Sequence, residues 1–391
     1  MKLLIYARDW LPSVGGVEFI TKALADGFTE RSKSHPVERV DVTLFTRTPA
    51  GVADDSLLPY RVIRKPSLIE WIRQVRSADI VQLMGPSLMP LLLVWILRKP
   101  VVLQHQGYQS VCPNGLLLYE PDRSLCPGHF MARHYEKCIR CNKAERGWIG
   151  SIRSVLLTFP RRWLARRATV NVGASSHIAQ RLNLPRTQVI WNGVPVSPEP
   201  AFDSVARDNS QPVCFAFFGR LVVEKGVAIL LRACRELSNE GFNFHLKIVG
   251  DGPERHNLEA MTEELGLSPR TEFTGFAAGA GIAEAMRGVS AVVMPSICED
   301  VSPLAAMEQL MEGRLLIASD IGGLGQIVDG VGLKFPAGDA DALASCMREL
   351  LQNPSRAVAL GQQARHRALQ TFTKDRMVEE HARLYYRLLR S

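Results

Sequence analysis

Residues Ala291 to Gly323 read AVVMPSICEDVSPLAAMEQLMEGRLLIASDIGG, a pattern of strand, loop, helix, strand and glycine turn. Val292–Pro295 is a short apolar run, and Leu315–Ser319 is the next strand. Between them, Ser302-Pro303 predicts a helix start, with Ser as N-cap and Pro at the first helical position. Leu304, Met307 and Met311 recur at helical spacing and are expected to face the core. Glu308 falls on that same stripe, where a carboxylate is costly unless something satisfies it. Asp300 sits at the mouth of the loop, toward which the free N–H groups of the helix start point. One segment thus offers two carboxylates and an anion-attracting helix end. The plainer alternative is a surface loop acid and a partly exposed glutamate.

Working outward, 391 residues suit two domains better than one core. The composition, 46% hydrophobic and 22% charged, is that of a globular protein. The net charge of +8 is unevenly spread. Residues 1–196 hold 27 Lys+Arg against 14 Asp+Glu, and the remainder 20 against 25. A basic first half points to an anionic partner: a membrane surface or a phosphate-bearing substrate. No nucleic-acid motif accompanies the charge, so nucleic acid is not expected. Arg8 and Asp9 interrupt any signal-peptide core after Leu3–Ala7, and the longest apolar run, Leu88–Leu97, is too short to span a bilayer. The expectation is a soluble, cytoplasmic protein, with peripheral attachment to the inner membrane face as its membrane option.

The first half alternates strands with helices: Lys2–Ala7, Val40–Phe45, Tyr60–Ile63, Ile80–Met84, Val101–Gln104, Thr169–Val172 and Val189–Trp191. That rhythm predicts a parallel sheet covered on both faces, with ligands at the carboxyl ends of its strands. Gly15-Gly16 precedes a helix expected over about Val17–Phe28, an arrangement that lets backbone N–H groups approach a phosphate; a plain tight turn is the alternative. His105 closes the Val101–Gln104 strand at the edge where ligands sit.

Between residues 107 and 146 the alternation breaks, and Cys112, Cys126, Cys138 and Cys141 fall in this insertion. Cys138-Ile139-Arg140-Cys141 reads as a Cys-x-x-Cys knuckle. Four thiolates around a structural zinc would organise such a segment, with His129 or His134 as substitute ligands. Free thiols and disulfides are the alternatives. The stretch Pro160-Arg161-Arg162-Trp163-Leu164-Ala165-Arg166-Arg167, with Trp148, Leu156, Leu157 and Phe159 nearby, is basic, aromatic and amphipathic. It suits an anionic membrane surface, or else a solvated helix on the sheet.

Pro195–Pro212 is rich in Pro, Ser and Asp and reads as a linker. A second alternating series starts at Val213–Phe218, followed by Gly219-Arg220 and a helix opening at Glu224-Lys225-Gly226. Lysine at a helix start opposes the helix dipole unless an anion sits there. With Arg220 across the turn, it forms a candidate diphosphate clamp that needs no metal. Asp339-Ala340-Asp341 reads as the cap of a helix over Ala340–Leu351.

Phe218-Gly219-Arg220-Leu221-Val222-Val223-Glu224-Lys225-Gly226 resembles the GR-L-x-x-E-K-G segment of family 4 glycosyltransferases, which have the GT-B fold. Val249-Gly250-Asp251-Gly252-Pro253, Phe273-Thr274-Gly275-Phe276, Gly322-Gly323 and Asn192-Gly193-Val194 resemble further family segments, in family order. The resemblance is strongest over 212–340. It implies an α/β GT-B fold: two Rossmann-like, doubly wound parallel-sheet domains facing a cleft, with a C-terminal helix crossing back to the first. The expected divisions are an acceptor domain 1–196 with its insertion 107–146, a linker 197–211, a nucleotide-sugar domain 212–371 and a crossover helix 372–391.

The resemblance also assigns roles. Arg220 and Lys225 match the pair holding the donor diphosphate, and Glu308 matches the carboxylate that binds the ribose. Asp300, with Glu299 one position early, stands where the family has a glutamate contacting the transferred sugar. Val301 and Ser302 stand in its Gly-Phe-Gly loop, Gly16 matches a glycine approaching the phosphates, and His105 matches a histidine near the donor sugar. Gly252 and Phe276 complete the donor-binding set, and the catalytic set is Arg220, Lys225, His105 and Asp300. The implied enzyme is a retaining, metal-independent hexosyltransferase. It would use a UDP- or GDP-type sugar and a glycan or lipid-linked acceptor in polysaccharide or glycoconjugate synthesis, with no catalytic cofactor. A non-catalytic GT-B sugar- or partner-binding protein is the alternative of a different class. A dinucleotide oxidoreductase lacks its Gly-x-Gly-x-x-Gly, and a glycosidase would not need Arg220 and Lys225.

Overall fold

The computed structural model describes residues 1–391 except 14, 35–38, 52, 198–211, 278 and 391. The expected linker therefore lies, apart from Ser197, outside the described residues. The chain divides into two units: residues 1–122, 126–194 and 372–391 form the first, and 123–125 with 195–371 the second.

In the first unit the strands are β1 (Lys2–Tyr6), β2 (Asp41–Thr46), β3 (Arg61–Arg64), β4 (Ile80–Leu83), β5 (Val101–His105), β6 (Val170–Gly173) and β7 (Thr187–Val189). They pair in parallel in the order β3-β2-β1-β4-β5-β6-β7. β4, β5 and β6 are buried throughout, so the polar residues set among their apolar ones, Gln82, Gln104, His105 and Asn171, are buried with them. The order reverses between β1 and β4, and α1 (Gly16–Ser34) begins beside that point. Further helices are α2 (Leu68–Ser77), α3 (Leu88–Ile96), α4 (Tyr135–Ala165) and α5 (Ser176–Leu182). α4 is two helical segments joined at Gly147, whose φ of 64° breaks the helical path. Its first segment corrects the knuckle reading: Cys138 and Cys141 occupy one helical turn, with both side chains buried.

The second unit carries β8 (Val213–Phe218), β9 (Phe244–Val249), β10 (Thr271–Gly275), β11 (Ala291–Met294), β12 (Leu315–Ser319) and β13 (Leu333–Phe335). The parallel order is β10-β9-β8-β11-β12-β13, reversing between β8 and β11. Helices α6 (Val227–Asn239), α7 (Arg255–Glu264), α8 (Ala280–Ala285), α9 (Leu304–Met311), α10 (Gly322–Val328), α11 (Ala340–Gln352) and α12 (Ser355–Thr371) belong to this unit. Phe215, Phe217, Leu230, Leu231, Phe244, Ile248 and Met347 form the core between the sheet and its helices. Asp339 caps α11 by accepting the Ala342 N–H at 2.9 Å.

The last helix, α13 (Lys374–Arg390), is part of the first unit and packs on α1, where Phe28 and Tyr385 stack at 5.2 Å. A buried polar network fixes it to the sheet. The Tyr385 hydroxyl donates to Gln82 Oε1 at 2.9 Å, and Gln82 Nε2 donates to Gln104 Oε1 at 2.9 Å. His381, fully buried, donates from Nδ1 to the Met377 carbonyl at 2.8 Å. Each group satisfied here would be costly if buried alone.

Candidate active site

At the switch point of the second sheet, the loops leaving β8 and β11 converge. Ligands of doubly wound sheets bind at such crevices. The segment after β8 runs through Gly219 and Arg220 into a short 3-10 turn, Val223–Lys225, before α6. Gly226 separates the two in a left-handed conformation with φ of 68°, and a Cβ there would overlap the Pro295 carbonyl of the facing loop. The Ile297 N–H donates to the Glu224 carbonyl at 3.0 Å, so the loops are braced directly. On the other side, the Gly323 N–H donates to the Asp300 carbonyl at 2.6 Å. A Cβ on Gly323 would collide with the Val301 carbonyl. The Gly322-Gly323 pair of the opening stretch thus serves close backbone approach.

This bracing brings Lys225 onto Asp300. Lys225 Nζ lies 2.8 Å from both Asp300 oxygens, and the side chains are only 18% and 16% exposed. Ser296 Oγ donates to Asp300 Oδ2 at 2.6 Å. Burial disfavours the lysine's charge, but the Asp300 carboxylate outweighs it and holds Lys225 above the ordinary lysine range. The two residues expected to act on diphosphate and sugar separately are therefore a pair in this structure. Ser296 escapes sequence reading because a serine after a strand looks like ordinary turn chemistry.

Arg220 is exposed, and its guanidinium has no hydrogen-bond or ion-pair partner among the described residues. Glu308 lies on α9, half-buried, and its carboxylate likewise has none. Burial, with Glu312 adding repulsion, pushes the Glu308 carboxyl up to about 7. A cation and a carboxylate left unpaired beside a switch point are what an absent ligand would use.

The helix start differs from expectation. α9 begins at Leu304, with Pro303 extended at the N-cap, one residue later than the Ser302 cap predicts. Ser302 Oγ is instead buried without a partner among the described residues, as is Ser319 Oγ at the end of β12. Val301 and Glu299 lie in the same loop, half-buried. Gly252 packs against the Leu221 backbone after β9, and Phe276 is 71% exposed after β10. The structure gives neither a side-chain contact to the Lys225–Asp300 pair.

In the first unit, His105 ends β5 wholly buried rather than open to a ligand. Its Nε2 donates to Asn171 Oδ1 at 2.9 Å, while Nδ1 has no partner among the described residues. Burial holds it neutral, with its pKa down to about 4. Gly16 is the exposed first residue of α1.

The four cysteines of the insertion are buried and unbridged. Cys112 Sγ donates to Asn114 Oδ1 at 2.8 Å, and Asn114 Nδ2 donates to Cys141 Sγ at 3.3 Å. Cys126 Sγ lies 3.5 Å from His129 Nδ1. Burial, then the neighbouring thiols, pushes Cys138 up to about 12 and, with Glu120 also contributing, Cys141 to about 11. Among the described residues, no three His, Cys, Asp or Glu side chains are disposed as a metal-ligand set.

Two parallel α/β units, each with a switch-point edge, define the GT-B class. Anabaena HepE, crystallised with UDP, superposes with a TM-score of 0.70 at 18% identity, over 98% of this chain and 99% of that one. Sucrose-phosphate synthase from Thermosynechococcus elongatus gives 0.71 at 19% identity, over 99% and 98%. The family model described as "Glycosyl transferases group 1" matches residues 212–353. Among curated relatives, 2-deoxystreptamine glucosyltransferase of Streptomyces kanamyceticus is 30% identical over 231 residues, 54% of this chain and 58% of that protein. The lipopolysaccharide core biosynthesis glycosyltransferase LpsD of Rhizobium meliloti is 35% identical over 175 residues, 43% and 48% respectively. The chain thus spans about half the length of the curated relatives it matches.

Proposed function

We propose that this protein transfers a hexosyl group from a nucleotide diphosphate sugar to a hydroxyl of a glycan or lipid-linked acceptor, with retention and without a catalytic metal. The observation that carries the reading is the pair of unpartnered charges, Arg220 and Glu308, in the second unit's matched region. Glu308 would accept hydrogen bonds from the ribose hydroxyls, and the Arg220 guanidinium would take the diphosphate in a fork–fork contact. Lys225, positioned by Asp300 and Ser296, would supply the second positive charge. As the bond from the sugar C1 to the diphosphate oxygen breaks, both cations stabilise the growing negative charge. The acceptor oxygen bonds to C1 on the face the diphosphate leaves, and its proton passes to the departing phosphate oxygen. Crystal structures of HepE with UDP and with UDP-glucose favour a UDP donor. The reading includes a role in cell-surface polysaccharide or glycoconjugate synthesis, at the cytoplasmic side of a membrane.

Calorimetry with UDP and GDP, followed by release of nucleoside diphosphate from the corresponding sugars in the presence of acceptor, tests the proposal. Saturable UDP binding that is weakened in Glu308→Gln, and release that depends on acceptor, are the expected results. Donor binding without release over a broad acceptor set would instead make the chain a binding module. A brief EDTA treatment should leave turnover intact; its loss would overturn the metal-free clamp.

A further inference from the structure

The second segment of α4 is turned inside out. Ile149, Ile152, Leu156, Phe159 and Trp163 follow at intervals of three and four and so form one helical stripe. That stripe faces outward: all five are at least 43% exposed, Ile149 the most at 85%. The buried face of the same segment carries Ser151, Ser154, Val155, Thr158, Leu164 and Ala165, four of the six small or polar. A surface helix of a globular unit has the opposite arrangement. Single exposed apolar residues need no explanation, but a continuous stripe does.

α3 extends the stripe into a patch. It contacts α4, and Met89, Leu92, Trp95 and Ile96 on it are exposed. Trp95 and Trp163 meet edge to face at 5.1 Å, joining the two helices' outward faces. Beside them opens a recess of about 670 Å³, lined by Arg98, Lys99 and Arg167 together with Trp95, Ile96 and Leu164. The Arg167 guanidinium lies 3.6 Å over the Trp163 ring. Residues 146–198 hold eight arginines and no Asp or Glu. Among the described residues, Arg98, Arg153 and Arg166 have no carboxylate partner. An apolar face with paired tryptophans at its edge, basic flanks and no acid is complementary to one surface in particular. Lipid headgroups take the cations and indoles, and the acyl boundary takes the aliphatic stripe.

We propose that the outward faces of α3 and α4 dock this protein on an anionic bilayer, with the Arg98–Lys99–Arg167 recess seating phosphate-bearing headgroups. The attachment is interfacial, since no helix among the described residues is long and apolar enough to cross a membrane. It names the surface for the membrane side of the reading above, but the patch lies within the first unit and involves no residue assigned to donor chemistry.

The test is sedimentation of the full chain, without sugar nucleotide, with vesicles of phosphatidylcholine alone or with an equal part of phosphatidylglycerol, at low and high salt. Co-sedimentation with anionic vesicles at low salt and release at high salt are expected. Ile149→Glu with Leu156→Glu should abolish binding, and Arg98→Gln, Arg153→Gln and Arg166→Gln should each weaken it roughly fivefold. All substituted side chains are exposed, and circular dichroism checks that each variant folds. Three results would overturn the proposal: equal recovery in the supernatant with both vesicle types, variants that bind like the parent, or a dimer that the double glutamate variant dissociates while vesicle binding is nil. The assay contains no donor, so its failure leaves the transferase reading untouched. Failure of donor binding likewise leaves the docking surface untouched.

Discussion

Arg220 and Asp300 stand at the same edge of the second unit, yet substitution should separate them cleanly. Arg220 is exposed and unpartnered, so Arg220→Ala is expected to leave urea unfolding within about 0.5 kcal/mol of the parent. It should lower turnover on the order of 10²–10³-fold, the usual cost of losing one preorganised donor. Asp300→Asn instead strands the largely buried Lys225 charge and should cost up to about 3 kcal/mol. Equal stability of the two variants would show the ion pair to be incidental. Glu308 tests the site through pH. Its folded pKa, pushed up to about 7, exceeds the ordinary carboxylate value, so its contribution is fully present at low pH and is lost as pH rises through 7. Glu308→Gln should therefore unfold at a higher temperature than the parent at pH 8 and nearly together with it at pH 4, while binding nucleotide more weakly at pH 8. A lower midpoint at pH 8 would refute the strained-carboxylate account. Both carboxylates were visible in the stretch 291–323. Their environment was not, because Lys225 reaches Asp300 from 75 residues upstream through the adjacency of β8 and β11.

Elements were more legible than contacts. Val213–Phe218 and Leu315–Ser319 stand where the apolar runs placed them, because strands buried on both faces leave no choice of register. The start of α9 was not legible: Ser302-Pro303 allows two registers, and the chain takes the one with Pro303 at the N-cap. The glycines were legible only as turns. Gly323→Ala should destabilise by roughly 1–3 kcal/mol, since its Cβ must displace the Val301 carbonyl; a thermal midpoint equal to the parent's would contradict the close packing of that loop. The cysteine insertion is partly helical, which the spacing of Cys138 and Cys141 permits but does not require. Its four buried thiols are not disposed as a ligand set, which turns the zinc expectation around: elemental analysis should find less than roughly a tenth of an equivalent per chain, and a full equivalent would show that metal draws the thiols together.

For the whole molecule, two buried histidines drive an acid response that Glu308 opposes in part. His105 and His381 are fully buried, and burial lowers each to about 4. A neutral histidine held below its unfolded value contributes stability above about 6.5, and that contribution is lost as pH falls toward 4. At ~1.4 kcal/mol per pKa unit, each accounts for roughly 3 kcal/mol across this window. The midpoint of urea unfolding should therefore drop steeply between pH 6.5 and 4, and less so in His381→Gln after allowance for the lost Met377 contact. A flat profile would contradict the neutral burial. The alternation of strands and helices foretold two parallel sheets. Nothing in the sequence foretold the Tyr385–Gln82 bond, which depends on residues 303 apart.

That bond has a consequence in time. The first unit is assembled from both ends of the described chain, whereas residues 195–371 of the second are contiguous. At about 5–20 residues per second, roughly 10–40 s of synthesis separate β7 from the completed α13. Throughout that interval the α1 surface lies bare and Gln82 lacks its phenol. The earlier-synthesised half must wait for the later one to complete its core. Nascent chains stalled just short of α13 should expose protease sites in β1–β7 that chains carrying the whole helix protect; equal resistance would mean the first sheet closes without it.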